Sequence, residues 1–269
     1  RAYSLGPHSK MALQLLKFAK KSCIANDEVL IGHITSAMAR NLPTIGQYFP
    51  HDMVAVLVGC GPSVKGQLDS IRRQKERGRP IIAMMWAHDW LIDNGIIPNN
   101  AVAVDPQEKI FFHKVRDDVQ YWLASQCHPV VFDNLQGKNV LIWHLNFDND
   151  KAYPPDTKMI GGGTSTGSRT MVLLYSMGFR RLELYGFDSC LQDGKLRANG
   201  DLMKQGQKAV PIKVGQRWFK CNPAMAAQAD EFQTILALMP DLAIQVHGDG
   251  LIKAIMDERD RISREGAMA

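Results

Sequence analysis

No two cysteines in this chain are spaced C-x-x-C, and the five present (Cys23, Cys60, Cys127, Cys190, Cys221) are scattered and odd in number. That argues against a disulfide framework and structural zinc, and for a reducing compartment, so a cytoplasmic location is expected. Long apolar runs are missing as well. Met53–Val58 is a run of six residues, far short of the ~20 that cross a bilayer, so no transmembrane segment is expected. No signal peptide is visible. The chain starts at Arg1 rather than Met, which leaves an upstream segment open. A strong excess of one charge is also lacking. The net charge of +5 suits an anionic small molecule and is too dispersed for a nucleic-acid surface. The densest basic run, RRQKERGR at 72–79, contains Glu76 and reads as a solvated helix end. There is no internal repeat and no low-complexity stretch.

What remains is a chain of 269 residues, 45% hydrophobic, able to bury a large core. Its first fifty residues read as a helical segment. Met11, Leu15, Leu16 and Ala19 share one face, and a second helix over 27–40 points Leu30, Ile31, Ile34 and Met38 inward until Pro43 stops it. From Met53 the pattern changes to short apolar runs: MVAVLV (53–58), IIAMM (81–85), NAVAVD (100–105), YWLAS (121–125), NVLIWHL (139–145), RLELYGFD (181–188) and AIQVHG (243–248). Runs that do not alternate with polar residues indicate strands covered on both faces. The expected fold is therefore α/β and Rossmann-like: a mostly parallel sheet with helices on both faces. Crossover helices are expected over 64–77, 88–94, 107–118 and 168–177. The expected divisions are a helical segment at 1–50, the Rossmann-like domain at 51–256 and a charged tail at 257–269. Residues 191–222 break the rhythm with two turn signals and a hairpin-like VPIKVGQRWFK, and are expected to form a lid or arm. Its cations, Lys195, Arg197, Lys204, Lys208, Lys213, Arg217 and Lys220, would close over phosphates or simply face solvent. Asn222 followed by Pro223 predicts the cap and first turn of a helix running to about 239.

Two glycine-bearing loops carry the chemistry. VLVGCGPSVKG (56–66) sets Gly59, Cys60, Gly61, Pro62 and Ser63 between a strand and a helix. It is neither G-x-G-x-x-G nor a G-K-[ST] loop, so it is either an anion cradle or a tight turn. KMIGGGTSTGSRTMVLLYSMGF (158–179) sets Gly163, Thr164, Ser165, Thr166, Gly167 and Ser168 before an apolar helix that Gly178 ends. Two such loops in one sheet protein converge on one site if their strands are neighbours. The two loops predict a nucleotide or phosphate site formed by these residues. Asp105 and Asp188 end strands, where carboxylates hold Mg²⁺ against a diphosphate, accept a ribose hydroxyl, or merely cap the next segment. His247 also follows a strand, as a general base or as a loop hydrogen-bond donor. Trp86 and Trp90 read as core. No spacing supports zinc, and nothing points to flavin or haem.

In that order, GCGPSV, IDNGIIPNNAVAVDPQ, GGGTSTGSRTMVLLYSMGFRRLELYGFDSC and VHGDGLIKAI resemble the MptE-like family. It is named for archaeal 6-hydroxymethylpterin diphosphokinase and includes a domain of Maf glycosyltransferase-like proteins. More distantly the chain is similar to CMP-sialic-acid-dependent bacterial sialyltransferases, which share a G-x-G-P-S loop and a T-S-G segment before a helix. The resemblance spans roughly Met53 to Met256. Gly59, Gly61, Pro62 and Ser63 match the first loop, Thr164, Ser165 and Gly167 the second, and Gly186 and Asp188 a strand end. Where the sialyltransferases carry a nucleotide-holding asparagine this chain has Cys60, and MMWAHDW offers no asparagine after the second strand; both argue against CMP-sialic acid as donor. The resemblance implies a nucleotide-binding transferase, using either a nucleotide-activated sugar or, with Mg²⁺, ATP and a pterin-like alcohol. A non-catalytic nucleotide-binding module is the third reading. Catalytic roles would fall to Asp105, Asp188 and His247.

Overall fold

The computed structural model describes residues 25–145, 152–154, 156–203 and 208–267. The helix expected around Met11–Ala19 and the cation Lys204 lie outside them. The apolar runs form β1 (His51–Val58), β2 (Ile81–Met84), β3 (Asn100–Ala103), β4 (Gln120–Ala124), β5 (Val140–Leu145), β6 (Met159–Ile160), β7 (Phe179–Tyr185) and β10 (Ala243–Val246). They make one sheet in the order β10-β7-β1-β2-β3-β4-β5-β6. Every neighbouring pair is parallel. The fold is Rossmann-like.

Strand β1 explains why the sequence shows no alternation. Ala55 and Leu57 enter one apolar cluster, Val56 and Val58 the other, and all four are wholly buried. On the second face they meet Ile71 of α2 (Leu68–Glu76) and Leu91 of α3 (Ala87–Asp93). On the first they join the cluster that holds Met171 of α5 (Thr166–Ser176), Phe232 of α6 (Pro223–Leu238) and Ile252 of α7 (Leu251–Ala267). Burying each Val or Leu side chain contributes about 1.5–3 kcal/mol, an upper range set by the unfolded reference. Helix α1 (Asp27–Met38) and the short α4 (Pro129–Asp133) pack together.

Two differences from the sequence pattern have physical causes, and one expectation holds. Residues 107–118 form no helix. Three of their backbone donors go to carboxylates instead: Asp105 accepts the Gln107 N–H at 3.0 Å, and Asp89 accepts those of His113 (2.9 Å) and Lys114 (3.2 Å). The C-terminal charges belong to a helix, since α7 continues through 257 with Arg261 paired to Glu258 and Glu265. Residues 210–221 form the antiparallel hairpin β8 (Val210–Val214) and β9 (Arg217–Cys221) as their turn pattern suggests. The hairpin is tied back by the Leu191 N–H, which donates to the Lys220 carbonyl at 2.8 Å.

One feature of the order positions the site. From β1 the chain builds outward through β2 to β6, then α5 carries it back to β7 on the other side of β1. The loops after β1 and β7 therefore part in opposite directions, and in open parallel sheets ligands bind in the crevice this leaves at the carboxyl edge.

Candidate functional site

The loop after β1 is glycine-rich because it is locked against the loop after β7. The Gly59 N–H donates to the Tyr185 carbonyl at 2.8 Å and the Gly61 N–H to the Gly186 carbonyl at 3.0 Å. A Cβ on Gly59 would lie 2.7 Å from the Gly186 oxygen, and one on Gly61 would lie 2.5 Å from it. Gly186 itself has φ +66°, a left-handed conformation open to glycine, and a Cβ there would meet the Gly59 oxygen at 2.5 Å. These glycines serve a backbone-to-backbone approach inside the protein.

Asp188 completes the lock. It is 3% exposed, and its carboxylate accepts the Ser63 N–H at 2.8 Å and the Ser63 hydroxyl. Ser63 lies in the first turn of a 3-10 helix, Pro62–Gln67, so Asp188 caps that turn from across the sheet. Burial pushes its carboxyl above the usual range, and the two Ser63 bonds oppose the shift. Behind it, Gly250 would place a Cβ 2.5 Å from the Asp188 Cα, and the Leu251 N–H donates to the Asp188 carbonyl at 2.8 Å.

The second loop is held by a residue that sequence reading missed. Glu231, on α6 and 8% exposed, accepts the Thr164 N–H at 2.8 Å and the Ser168 hydroxyl at 3.4 Å. A Cβ on Gly163 would clash with both Ser168 and Glu231. Ser165 caps α5: its hydroxyl accepts the Ser168 N–H at 3.0 Å, while the Ser165 N–H donates back to the Ser168 hydroxyl at 3.2 Å. The cap, the Gly178 terminus at φ +93° and the apolar stripe make α5 what the sequence predicts.

The loops converge on a cleft of about 400 Å³. Its first wall is Gly59, Cys60 and Gly61, its second Ser165 to Ser168, and its third Gly186 to Cys190. Met84, Met85 and Trp86 come from the end of β2, Asn222, Met225 and Gln228 from the start of α6, and Leu196 and Arg197 from the arm. Of the residues expected from sequence, Gly59, Cys60, Gly61, Ser165, Thr166, Gly167, Ser168, Gly186 and Asp188 meet here. Pro62, Ser63, Gly163 and Thr164 stand outside the cleft wall, as do Asp105 and His247. Asp105 closes its own turn on Gln107. His247 stacks on Tyr185, ring centroids 4.1 Å apart, and donates from Nε2 to Glu183 at 2.5 Å.

The arm is packed rather than open over 191–203. Lys195 bridges to Gln192 and Leu202, Ala198 is 3% exposed, and the Ala198 N–H donates to the Cys60 carbonyl at 2.8 Å. Trp86 lies on the cleft wall and also meets Phe111 edge-on, at 5.2 Å. The methionines, Trp86 and Phe187 carried no motif; only the position of their strand ends reveals them.

The residues do not fit a dedicated Mg²⁺ site. Mg²⁺ takes oxygen ligands, commonly one or two carboxylates facing the substrate phosphates. Asp105 lies off the cleft, both Asp188 oxygens are taken by Ser63, and among the described residues no three His, Cys, Asp or Glu side chains cluster to hold a metal. Nor is any helix among them long and apolar enough to cross a membrane.

Comparison with known proteins bears on the fold. The MAf glycosyltransferase from Magnetospirillum magneticum AMB-1 has a similar fold, at 16% identity and a TM-score of 0.57, over 88% of this chain and 42% of that one. The chain thus spans less than half the length of that protein. A mammalian sialyltransferase solved in complex with Gal-beta-1-3GalNAc-ortho-nitrophenol aligns at 11% identity and a TM-score of 0.42, over 92% of this chain and 88% of that one. Comparison with curated proteins returns no match. Residues 32–194, more than half the chain, match the family described as 6-hydroxymethylpterin diphosphokinase MptE-like, and the chain belongs to that MptE-like family.

Proposed function

We propose that this chain is a nucleotide-binding transferase of the glycosyltransferase-like kind, taking a nucleotide-activated sugar in the cleft between β1 and β7. The observation that carries this reading is the meeting of the β1 loop, the β7 loop and the first turn of α5 at one switch point. Thr166 and Gly167 begin α5 on the cleft wall. First-turn N–H groups have no acceptor within their own helix, and the helix dipole favours an anion there. In glycosyl transfer the bond from the anomeric carbon to phosphate oxygen breaks, the phosphate keeps the electron pair, and its growing charge is stabilised by donors already in place. Met85, Trp86 and Phe187 offer apolar faces for a base or sugar ring. A volume of about 400 Å³ lies within the usual range for small-ligand sites.

Backbone strain supports the same place. Met85 and Ser189 hold φ near +47°, a conformation that costs energy for non-glycine residues and concentrates at functional sites. Both line the cleft.

The family description favours a second reading, transfer of diphosphate from ATP to a pterin-like alcohol. That reaction relies on Mg²⁺, and the poor metal donor set places it second. The test is a thermal-shift series with CMP, UDP, GDP and ATP, each with and without Mg²⁺, followed by assay of nucleotide-sugar turnover. A ligand that binds the folded state alone raises the melting temperature. The reading expects a rise without metal. A rise confined to ATP with Mg²⁺ would transfer support to the diphosphokinase reading, and no rise with any nucleotide would remove the site.

A further inference from the structure

We infer that Arg197 is the phosphate-recognising side chain of the cleft. The inference rests on the proposed nucleotide site and adds the residue that would read its charge. Among the described residues, Arg197 is the only cation on the cleft wall; no lysine and no histidine lines it. The single carboxylate there, Asp188, is held by Ser63. A nucleotide phosphate entering this space meets one guanidinium, that of Arg197, which is ion-paired to Asp201.

Arg197 is held for the task by a closed turn. The Leu196 N–H donates to the Asp201 carbonyl at 2.6 Å and the Gly200 N–H to the Arg197 carbonyl at 3.1 Å. The next residue, Ala198, is buried in the apolar cluster of Val58, Val64 and Tyr185 and tied to the Cys60 carbonyl. The turn is thus fixed to the β1 loop itself. Asp201 takes the Nη1 donor of Arg197 at 2.5 Å, and both side chains are 42% exposed. A guanidinium carries five N–H donors in a rigid fork. With Nη1 on Asp201, Nε and Nη2 remain to face a phosphate oxygen pair, and Asp201 fixes the plane of the fork. Asp201 is then a positioning residue, and the partial exposure of the pair keeps rearrangement toward a ligand inexpensive.

The test compares each nucleoside (cytidine, uridine, guanosine, adenosine) with its 5′-monophosphate and 5′-diphosphate by calorimetry, on wild type, Arg197→Met and Arg197→Lys. Arg197→Met should erase about ten- to a hundredfold of the affinity by which the nucleotide exceeds its nucleoside, leaving nucleoside binding unchanged. Arg197→Lys should restore part of it, because lysine supplies charge without the fork. If folded Arg197→Met keeps the full nucleotide advantage, Arg197 is not the phosphate contact and the cleft assignment survives without it. Should wild type bind neither nucleosides nor nucleotides, the site reading fails and the inference goes with it. Thermal melts report folding of each variant, and Arg197→Gln offers a second neutral substitution if Arg197→Met melts early.

Discussion

The buried Asp188 carboxylate accepts both the backbone N–H and the hydroxyl of Ser63, 125 residues away in sequence. Two loops that part at the switch point are thereby clasped through one side chain. The clasp assigns the strand-end aspartate a structural task, and it fixes the mouth of the cleft between Gly59 and Gly186.

Replacing Asp188 separates shape from charge. Asp188→Asn keeps an oxygen for the Ser63 N–H and presents an amide to the Ser63 hydroxyl, so it should fold. Asp188→Ala leaves the Ser63 N–H unpaired and should cost about 1–3 kcal/mol. Because burial raises the folded-state pKa of Asp188, the native protein holds more protons than the unfolded chain between the two values. Its contribution to stability is then greatest below the unfolded pKa and falls as pH rises through the folded one. Asp188→Asn lacks this loss and should gain on wild type as pH rises through that window. Urea midpoints of both proteins across the acid range check it; a difference that stays constant with pH would contradict the buried, raised carboxyl.

Glycine substitutions should divide sharply. Gly61→Ala drives a Cβ to 2.5 Å from the Gly186 oxygen and 2.6 Å from the Asp188 carboxylate. Overpacking of this kind costs about 1–3 kcal/mol. Gly66→Ala meets nothing within 4 Å and needs no positive φ, so it should stabilise by about 0.4–1 kcal/mol by restricting the unfolded chain. Chemical denaturation of the two variants decides it, and equal effects would contradict the interlocked loops.

Glu231 should control the second loop. Glu231→Ala strands the Thr164 N–H and is expected to lower stability by about 1–3 kcal/mol. Glu231→Gln keeps an acceptor oxygen and should retain most of the wild-type value. Amide exchange at Thr164 is the direct readout: it should accelerate in Glu231→Ala and stay slow in Glu231→Gln. Unchanged exchange in the alanine variant would mean that α5 orders this loop without help.

His247 tests the boundary of the site. It lies off the cleft wall and is held by Glu183 and the Tyr185 ring. His247→Ala should therefore cost about 1–3 kcal/mol of stability while nucleotide affinity measured on the folded variant stays within about twofold. A large loss of affinity at preserved stability would return His247 to the site.

The sequence by itself determined the layered fold, because its signals are local. An unalternating run such as Met53–Val58 reads as a buried strand, and its Ala55–Val58 half is wholly buried; the apolar segment from about Ser168 up to Gly178 reads as a helix. Asn222 and Pro223 start α6 for equally local reasons, and they hold in the structure, with the Asn222 side chain accepting the Met225 N–H at 2.8 Å. Residues 107–118 show where locality ends. Their composition permits a helix, yet Asp89 withdraws the His113 and Lys114 donors that a helix there needs. The site depended still more on distance along the chain. That Gly59 and Gly61 sit at a strand-to-helix turn is legible; that their missing Cβ atoms make room for Gly186 and Asp188 follows only from β7 pairing with β1. Glu231 reaches Thr164 across 67 residues, and Arg197 joins the cleft because Ala198 docks on Cys60. Strand and helix patterns record which face of an element is buried. Which loops meet, and which side chain takes which donor, is settled by tertiary packing, because those partners are chosen by proximity in space.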